Sequence, residues 1–178
     1  MFKKIQNFIK KKYLLKKYNL NEIIRQQNKN YLDLHLNRDA GLRKLEVIKK
    51  EYNFIHRPMS SEHEVIFTSI SNSDKKIKNI LEIGTFDGIN SFLLSVLFPN
   101  STINTIDLNA DDDDFVNYYN KNINTKQFIE KRNKILNKTE YINFENLNSL
   151  NLINRKDKYD LIWIDGAHGY PNVCIDIM

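Results

Sequence analysis

The spacing of apolar positions along the chain changes near residue 79. Before that point apolar residues recur at helical spacing, which predicts helices at residues 1–20, at Ala40–Phe54 and after Ser61. Ser61 and Glu64 stand three residues apart, just before an apolar run, which is the spacing of a capping box. The first part of the chain is therefore predicted to be helical.

After residue 79, short apolar runs alternate with helical segments. Four runs are predicted to be strands: NILEIG at 79–84, TINTID at 102–107, YINFE at 141–145 and KYDLIWID at 158–165. Helices are predicted at 88–98, from Asp114 to about Asn137, and from Pro171 onward, with a short polar connection before the last strand. This alternation predicts an α/β fold with a parallel, Rossmann-like sheet. The run Leu161–Ile164 predicts burial of the fourth strand on both faces.

Charge divides the chain into two parts. Residues 1–60 carry 15 Lys and Arg against 5 Asp and Glu, whereas residues 61–178 carry 12 against 17. We therefore expect a basic helical extension at 1–58 and an α/β domain at 59–178. The lysines of the first helix give it a basic amphipathic pattern, typical either of contact with an anionic membrane surface or of a solvated helix.

Composition favours a cytoplasmic protein. No apolar run approaches the length needed to span a bilayer, and lysines interrupt every run that could serve as a secretory signal. The single cysteine, Cys174, suits a reducing compartment. No nucleic-acid partner is expected.

Two of the five glycines, Gly84 and Gly88, follow the first predicted strand directly. A glycine at the carboxyl end of a parallel strand permits a sharp turn and lets a ligand approach the backbone. The dinucleotide pattern G-x-G-x-x-G, begun at Gly84, would need glycines where Phe86 and Ile89 stand, and no Gly-Lys-Ser/Thr of a P-loop follows. A nicotinamide oxidoreductase is therefore disfavoured.

The pattern that remains is E-x-G-x-x-x-G, formed by Glu82, Gly84 and Gly88. Asp107 ends the second predicted strand, nineteen residues beyond Gly88. An acidic side chain at that place can accept hydrogen bonds from both hydroxyls of a ribose. These residues predict a nucleoside-containing cofactor at this edge of the sheet.

LEIGTFDG followed by TIDLN resembles motifs I and II of the class I S-adenosylmethionine-dependent methyltransferases. IDGAHGYPNV resembles the strand-four segment of their small-molecule, catechol O-methyltransferase-like branch. The resemblance covers about residues 59–178. It implies methyl transfer from S-adenosylmethionine to an oxygen or nitrogen of a small-molecule acceptor. It also implies that Glu82 holds the methionine end of the cofactor, directly or through water, and that the glycine loop passes close to it. Asp107 would hold the ribose, and Ser149 with Asn148 would flank the adenine.

Asp165 and His168 are the candidate catalytic residues. Asp165 ends the fourth strand at the ligand edge, and His168 could accept a proton from the hydroxyl or amine of an acceptor. In the metal-dependent enzymes that this segment resembles, the aspartate binds a divalent cation, so a cation is one possibility although no metal ligand set is assigned. Turn chemistry is the other interpretation of Asp165, a strand-end aspartate beside glycines. Asp111–Asp114 is interpreted as a solvated helix start.

The sequence departs from the family in one respect. The family sheet has seven strands in the order 3-2-1-4-5-7-6, and only the first four are recognised here. We therefore expect an exposed edge at strand four, association of copies through that edge, and a chain that is a fragment or a degenerate protein. The alternative function is a non-catalytic nucleotide-binding module, held at an anionic surface by its lysine-rich helix.

Overall fold

The computed structural model describes most of the chain. The described residues are 19–54, 61–109, 112–113, 115–116, 125–166 and 176–177. They belong to two compact units, Met1–Lys75 and Lys76–Met178. Residues 1–18 of the amphipathic helix predicted at 1–20, and the start of the helix predicted at Pro171, lie outside the described residues. The domain boundary between residues 58 and 59 stays a prediction.

The first unit contains three described helices, which are α1 (Leu20–Asp33), α2 (Arg38–Glu51) and α3 (His63–Ser71). Asparagine side chains cap the first two. Asn19 accepts a hydrogen bond from the backbone N–H of Glu22 at 3.3 Å, and Asn37 accepts one from Ala40 at 2.9 Å. The helix predicted at Ala40–Phe54 is present as α2, with both ends shifted, whereas the sequence pattern did not predict α1.

The predicted capping box at the start of α3 is wrong. Glu62 holds the N-cap position and makes no side-chain capping bond. Ser61 instead hydrogen-bonds the Nδ1 atom of His63 at 2.7 Å. Glu64 pairs with Lys49 of α2. Because the Glu64 carboxylate binds the ammonium group of Lys49, it does not cap the start of α3.

The second unit is built on a four-stranded parallel sheet. Its strands are β1 (Asn79–Ile83), β2 (Thr102–Asp107), β3 (Ile142–Asn146) and β4 (Leu161–Ile164), in the spatial order β3-β2-β1-β4. All three pairings are parallel, so the carboxyl ends of the strands lie at one edge. The predicted α/β class and the four predicted strands are confirmed.

Two described helices follow the first two strands. The helix α4 (Ile89–Leu97) begins after Gly88, and α5 (Thr125–Leu136) covers the later part of the helix predicted from Asp114 to about Asn137. No described helix is long and apolar enough to cross a membrane. Both helices thus connect strands, as a parallel sheet requires.

The two faces of the sheet differ in character. Side chains alternate along β1, so that Glu82 lies on one face while Leu81 and Ile83 lie on the other. On that second face Leu81, Ile83 and Ile106 form a buried cluster, against which Leu152 and Tyr159 pack. Leu152 belongs to a 3-10 helix (Ser149–Asn154), where the sequence indicated only a polar connection. This apolar packing supports the strands close to their carboxyl ends.

The prediction that β4 is buried on both faces is wrong. Ile162 is 53% exposed, and the other three residues of the strand are only partly buried. Within the described sheet β4 pairs with β1 alone. An edge strand has a neighbour on one side, and its apolar side chains are covered less completely than those of a central strand. The expected exposed edge is therefore present in the described sheet.

Candidate functional site

The loop between β1 and α4 is a tight turn with three residues in the left-handed backbone region. Gly84 (φ +102°), Phe86 (φ +47°) and Gly88 (φ +77°) alternate with residues of negative φ. The turn is tied to β2, because the N–H groups of Gly84 and Thr85 both donate to the carbonyl of Ile106, at 2.9 and 3.2 Å. A left-handed phenylalanine costs about 1–2 kcal/mol, so the surrounding contacts must hold it there.

Asp107, at the end of β2, supplies one of these contacts. Its Oδ2 atom accepts the N–H of Phe86 at 2.7 Å, and its Oδ1 atom accepts the N–H of Leu108 at 2.9 Å. Burial raises the pKa of Asp107, while these two N–H groups and the positive charge of Arg132 lower it. Each carboxylate oxygen can accept more than one hydrogen bond, so both oxygens could accept a further donor such as a ribose hydroxyl.

Gly84 lies against the end of β4. A Cβ atom on Gly84 would lie 2.6 Å from the carbonyl carbon of Asp165 and 2.8 Å from the nitrogen of Gly166. The N–H of Asp165 donates to the carbonyl of Ile83 at 2.8 Å. The absence of a side chain at Gly84 therefore allows the loop to pack on β4, a role that the sequence prediction did not include. This packing places the backbone of Asp165 beside the loop.

Glu82 is buried beneath the loop, with 1% of its surface exposed. Its Oε1 atom accepts a hydrogen bond from the side-chain amide of Asn90 at 2.7 Å. Its Oε2 atom accepts one from Thr105 at 2.6 Å and another from Ser91. The hydroxyl of Thr85 joins this network at 2.6 Å from that of Thr105. Glu82 therefore links β1, β2, the loop and the first turn of α4.

The surroundings of Glu82 favour its protonated form. The pKa of Glu82 is raised to about 7, mainly by burial and in smaller part by the nearby negative charge of Asp165. The hydrogen bonds from Ser91, Thr105 and Asn90 act in the opposite direction. Desolvation outweighs the three hydrogen bonds because nearly the whole carboxyl group is removed from water. The loop is thus connected to a carboxyl group that titrates near neutral pH.

Ser149 lies at the start of the 3-10 helix, beyond the end of β3. Its hydroxyl donates to the carboxylate of Asp176. The same carboxylate approaches the end of β4, because a Cβ atom on Gly166 would lie 3.2 Å from its Oδ2 atom. The side chain of Asn148 accepts the N–H of Leu150 at 3.0 Å and so caps the 3-10 helix. Ser149 and Asn148 thus both lie at the carboxyl edge with protein partners.

The remaining predicted site residues are described incompletely. His168 lies outside the described residues, so its predicted role as a base stays a prediction. Of the run Asp111–Asp114, only Asp112 and Asp113 are described. Within the described ranges no group of three His, Cys, Asp or Glu side chains is arranged to hold a metal ion.

Sequence reasoning missed the polar residues that support the loop. Thr105 carried a signal, since strand alternation places it on the same face as Asp107 in TINTID. Arg132 also carried one, because it stands four residues from both Phe128 and Leu136, on the apolar stripe of α5. A charged residue on such a stripe indicates a buried charge. Ser91 had no comparable signal, because a serine in the first turn of a helix is common.

No protein-family model and no curated protein matches the chain. Among solved structures, it is similar to a methyltransferase of Podospora anserina bound to S-adenosylhomocysteine (18% identity, TM-score 0.46, covering 90% of this chain and 64% of that one). It is also similar to the O-methyltransferase involved in tomaymycin synthesis in Streptomyces achromogenes, in complex with S-adenosylmethionine (18% identity, TM-score 0.40, covering 79% of this chain and 59% of that one). A third similar structure is that of an O-methyltransferase of Bacillus cereus in complex with S-adenosylhomocysteine (20% identity, TM-score 0.37, covering 79% of this chain and 60% of that one). The chain thus spans less than two thirds of the length of each of these three methyltransferases.

Proposed function

We propose that the second part of this chain is an S-adenosylmethionine-dependent methyltransferase domain, which transfers a methyl group to an oxygen or nitrogen of a small-molecule acceptor. The observation that carries the proposal is the arrangement at the carboxyl edge of the sheet. There the carboxylate of Asp107 holds the left-handed loop from Gly84 to Gly88, and the backbone of Asp165 packs on that loop. Open parallel sheets bind ligands at this edge.

The residues fit the adenosine part of this cofactor. Both oxygens of Asp107 could accept a hydroxyl of the ribose in addition to the backbone N–H groups that they bind. A dinucleotide pyrophosphate fits less well, because it requires a glycine where Phe86 stands. The ring of Phe86 packs against Phe128, with the ring centroids 5.3 Å apart.

Asp165 is proposed to act in catalysis because it lies at the carboxyl edge of the sheet, beside the loop. When bound, the cofactor supplies an activated methyl group on its sulfonium, so the protein contributes mainly proximity and orientation. Asp165 would orient the acceptor, directly or through a divalent cation, and His168 would take its proton. Glu82 would act on the methionine end of the cofactor by holding α4 and the loop, because its oxygens already bind Asn90, Ser91 and Thr105. Ser149 would lie at the adenine.

The role of Asp107 is tested by a thermodynamic cycle that combines a substitution of Asp107 with removal of the ribose 2′-hydroxyl from the ligand. Wild-type protein is expected to bind S-adenosylhomocysteine roughly 10- to 100-fold more tightly than the analogue lacking the ribose 2′-hydroxyl, since a hydrogen bond to a charged acceptor contributes about 1.5–3 kcal/mol. Asp107→Asn should reduce this preference to below roughly threefold, because its neutral side chain accepts more weakly. Calorimetry of the four combinations gives the coupling directly.

Asp160→Asn is the matched control for this cycle. Asp160 also binds two backbone N–H groups, those of Lys78 and Asn79 at 2.8 and 3.0 Å, but it lies at the opposite end of the sheet. It should therefore keep the wild-type preference for the 2′-hydroxyl. If Asp107→Asn also keeps that preference, the ribose assignment is wrong.

Asp165 is tested by separating rate from affinity. Asp165→Asn is expected to lower single-turnover methyl transfer by roughly 10²- to 10⁴-fold, the usual contribution of a residue that acts on the acceptor. Its affinity for S-adenosylhomocysteine should stay within about threefold of wild type, because the backbone of Asp165 that packs on Gly84 is kept by this substitution. The assay uses labelled S-adenosylmethionine with hydroxylated and amino acceptors, with and without magnesium. An unchanged rate would remove Asp165 from the mechanism.

The alternative is a nucleotide-binding module without catalysis. Its support is that β4, which carries Asp165 at its end, has a neighbour only on the β1 side of the described sheet. The two functions share the cofactor site and differ in turnover. Saturable cofactor binding without methyl transfer to any acceptor in the panel would favour the module. We further expect a cytoplasmic location and association of copies through β4, and at most weak contact of the lysine-rich segment with anionic membranes.

A further inference from the structure

The carboxylate of Asp176 connects two segments at the carboxyl edge of the sheet. Its Oδ1 atom accepts a hydrogen bond from the hydroxyl of Ser149, the first residue of the 3-10 helix beyond β3. Its Oδ2 atom lies close to Gly166, two residues beyond β4, since a Cβ atom on Gly166 would lie 3.2 Å from it. The proposed function places Ser149 at the adenine but does not use Asp176.

The approach of this carboxylate depends on the absence of a side chain at Gly166. A Cβ atom there would lie 3.6 Å from the Cγ2 atom of Ile83, at the end of β1, as well as close to Asp176. A side chain at this position would therefore press on the carboxylate from the side of the sheet. Each of the two carboxylate oxygens thus has a neighbour from a different segment, which fixes the position of the group relative to Ser149.

The bond to Asp176 determines what the hydroxyl of Ser149 can offer to a ligand. An ionised carboxylate only accepts hydrogen bonds, whereas a hydroxyl has one proton to donate and two lone pairs that accept. The proton of Ser149 is therefore used in the bond to Asp176. Hydrogen bonds to ionised groups are roughly twice as strong as those between neutral groups, so a neutral carbonyl on a ligand does not displace the carboxylate. What remains on Ser149 is an acceptor.

We propose that Asp176 is a positioning residue that makes the cofactor site specific for a 6-aminopurine. By taking the proton of the Ser149 hydroxyl, Asp176 leaves that hydroxyl able to accept a hydrogen bond from the amino group of adenine and unable to donate one to the carbonyl of a 6-oxopurine. Adenine carries a donor at this place on the ring, and 6-oxopurines carry an acceptor. This inference rests on the proposed function, in which Ser149 lies at the adenine.

The test compares S-adenosylhomocysteine with S-inosylhomocysteine, its 6-oxopurine analogue, by calorimetry at pH 7.5. Wild-type protein is expected to prefer the adenine form by roughly 10- to 100-fold, because the analogue loses one hydrogen bond and opposes two acceptor oxygens. Asp176→Ala frees the proton of Ser149, which can then donate to the carbonyl. The preference should therefore fall by roughly tenfold in this variant. Hypoxanthine also differs from adenine at N1, so the change between proteins carries the test.

A double-mutant cycle and one control separate this role from simple packing. Ser149→Ala removes the hydroxyl itself and should lower the preference as Asp176→Ala does. In the Ser149→Ala background, Asp176→Ala should then leave the preference unchanged, because there is no hydroxyl to orient. Asp157→Ala removes an exposed carboxylate from the connection before β4 and should keep the wild-type preference. Parallel loss of affinity for both ligands in Asp176→Ala, with an unchanged preference, would indicate a packing role and overturn the proposal.

The outcomes also separate this inference from the proposed function. Failure of folded wild-type protein to bind S-adenosylhomocysteine would refute the cofactor site itself. Equal binding of the two ligands by wild-type protein would overturn only the role of Asp176. If Asp176→Ala does not fold, Asp176→Asn takes its place. Its neutral oxygen holds the proton of Ser149 more weakly, so the preference should fall by roughly threefold, and an unchanged preference overturns the proposal.

Discussion

Replacement of Gly84 by alanine is expected to lower the free energy of unfolding by about 3–5 kcal/mol. Two costs add at this position. The backbone of Gly84 has a φ of +102°, which side-chain-bearing residues rarely adopt, and the new Cβ atom would lie 2.6 Å from the carbonyl carbon of Asp165. Because the obstacle is backbone at the end of β4, relief requires the loop and the strand to separate. Urea denaturation of the two proteins measures the difference.

Gly88→Ala is the matched control. Gly88 also has a positive φ, +77°, but a Cβ atom there would first meet the Cδ2 atom of Leu136, at 2.8 Å. A leucine side chain can change rotamer where a backbone cannot, so the loss should be about 1–2 kcal/mol, mainly from the left-handed conformation. Equal losses in the two variants would show that the contact between the loop and β4 is not the constraint on Gly84.

The stability of the protein is expected to fall by about 3 kcal/mol as pH rises from about 4.5 to above 7, through Glu82 alone. Burial raises the pKa of Glu82 from 4.5 to about 7 in the folded protein. Between these values the folded state holds a proton that the unfolded state has released, so each increase in pH favours unfolding. The stabilisation is complete below the unfolded pKa and is lost as pH passes the folded pKa.

Glu82→Gln should remove this dependence. A neutral amide replaces the carboxyl group at equal size, and its oxygen can still accept from Ser91 and Thr105. Rotation of the Asn90 amide would turn its buried oxygen, which has no partner among the described residues, toward the new N–H group. Free energies of unfolding measured from pH 4.5 to 8 should be nearly constant for this variant, and above pH 7 it should equal or exceed wild type.

Glu145→Gln serves as the control for this series. Glu145 is exposed on β3, and its hydrogen bonds with Arg155 lower its pKa. Its titration therefore ends before that of Glu82 begins, and its removal should leave the slope between pH 5 and 7 unchanged. A wild-type slope that persists in Glu82→Gln would show that another group binds the proton.

The sheet was predictable because its strands are short apolar runs with clear ends. The segments Ile80–Ile83 and Ile103–Ile106 each begin and end with isoleucine, which favours strands, and glycine or aspartate follows each segment. The covering of β4 was not predictable from its own residues. Ile162 is as apolar as Ile80, and only the position of its strand in the sheet decides that one is 53% exposed and the other fully buried.

The candidate site was predictable to the extent that it depends on strand ends. Asp107 and the glycine loop follow adjacent parallel strands, so their meeting follows from the fold class. The partners of Glu82 on α4 could not be predicted in the same way. Asn90 and Ser91 reach Glu82 through the packing of α4 on the sheet, which local sequence does not specify. Thr105, by contrast, lies beside Glu82 in the parallel pairing of β1 with β2. Similarly, the spacing of Ser61 and Glu64 gave no sign of the competing Lys49.

The most direct test of the proposed function is calorimetric titration of the folded wild-type protein with S-adenosylmethionine, S-adenosylhomocysteine and NADH at pH 7.5. The arrangement of Asp107, the loop and β4 leads us to expect saturable one-to-one binding of the two sulfur-containing nucleosides, together with much weaker or undetectable binding of NADH. Failure of a folded protein to bind either nucleoside, or a preference for NADH, would contradict the assignment of this edge of the sheet as a methyl-donor site.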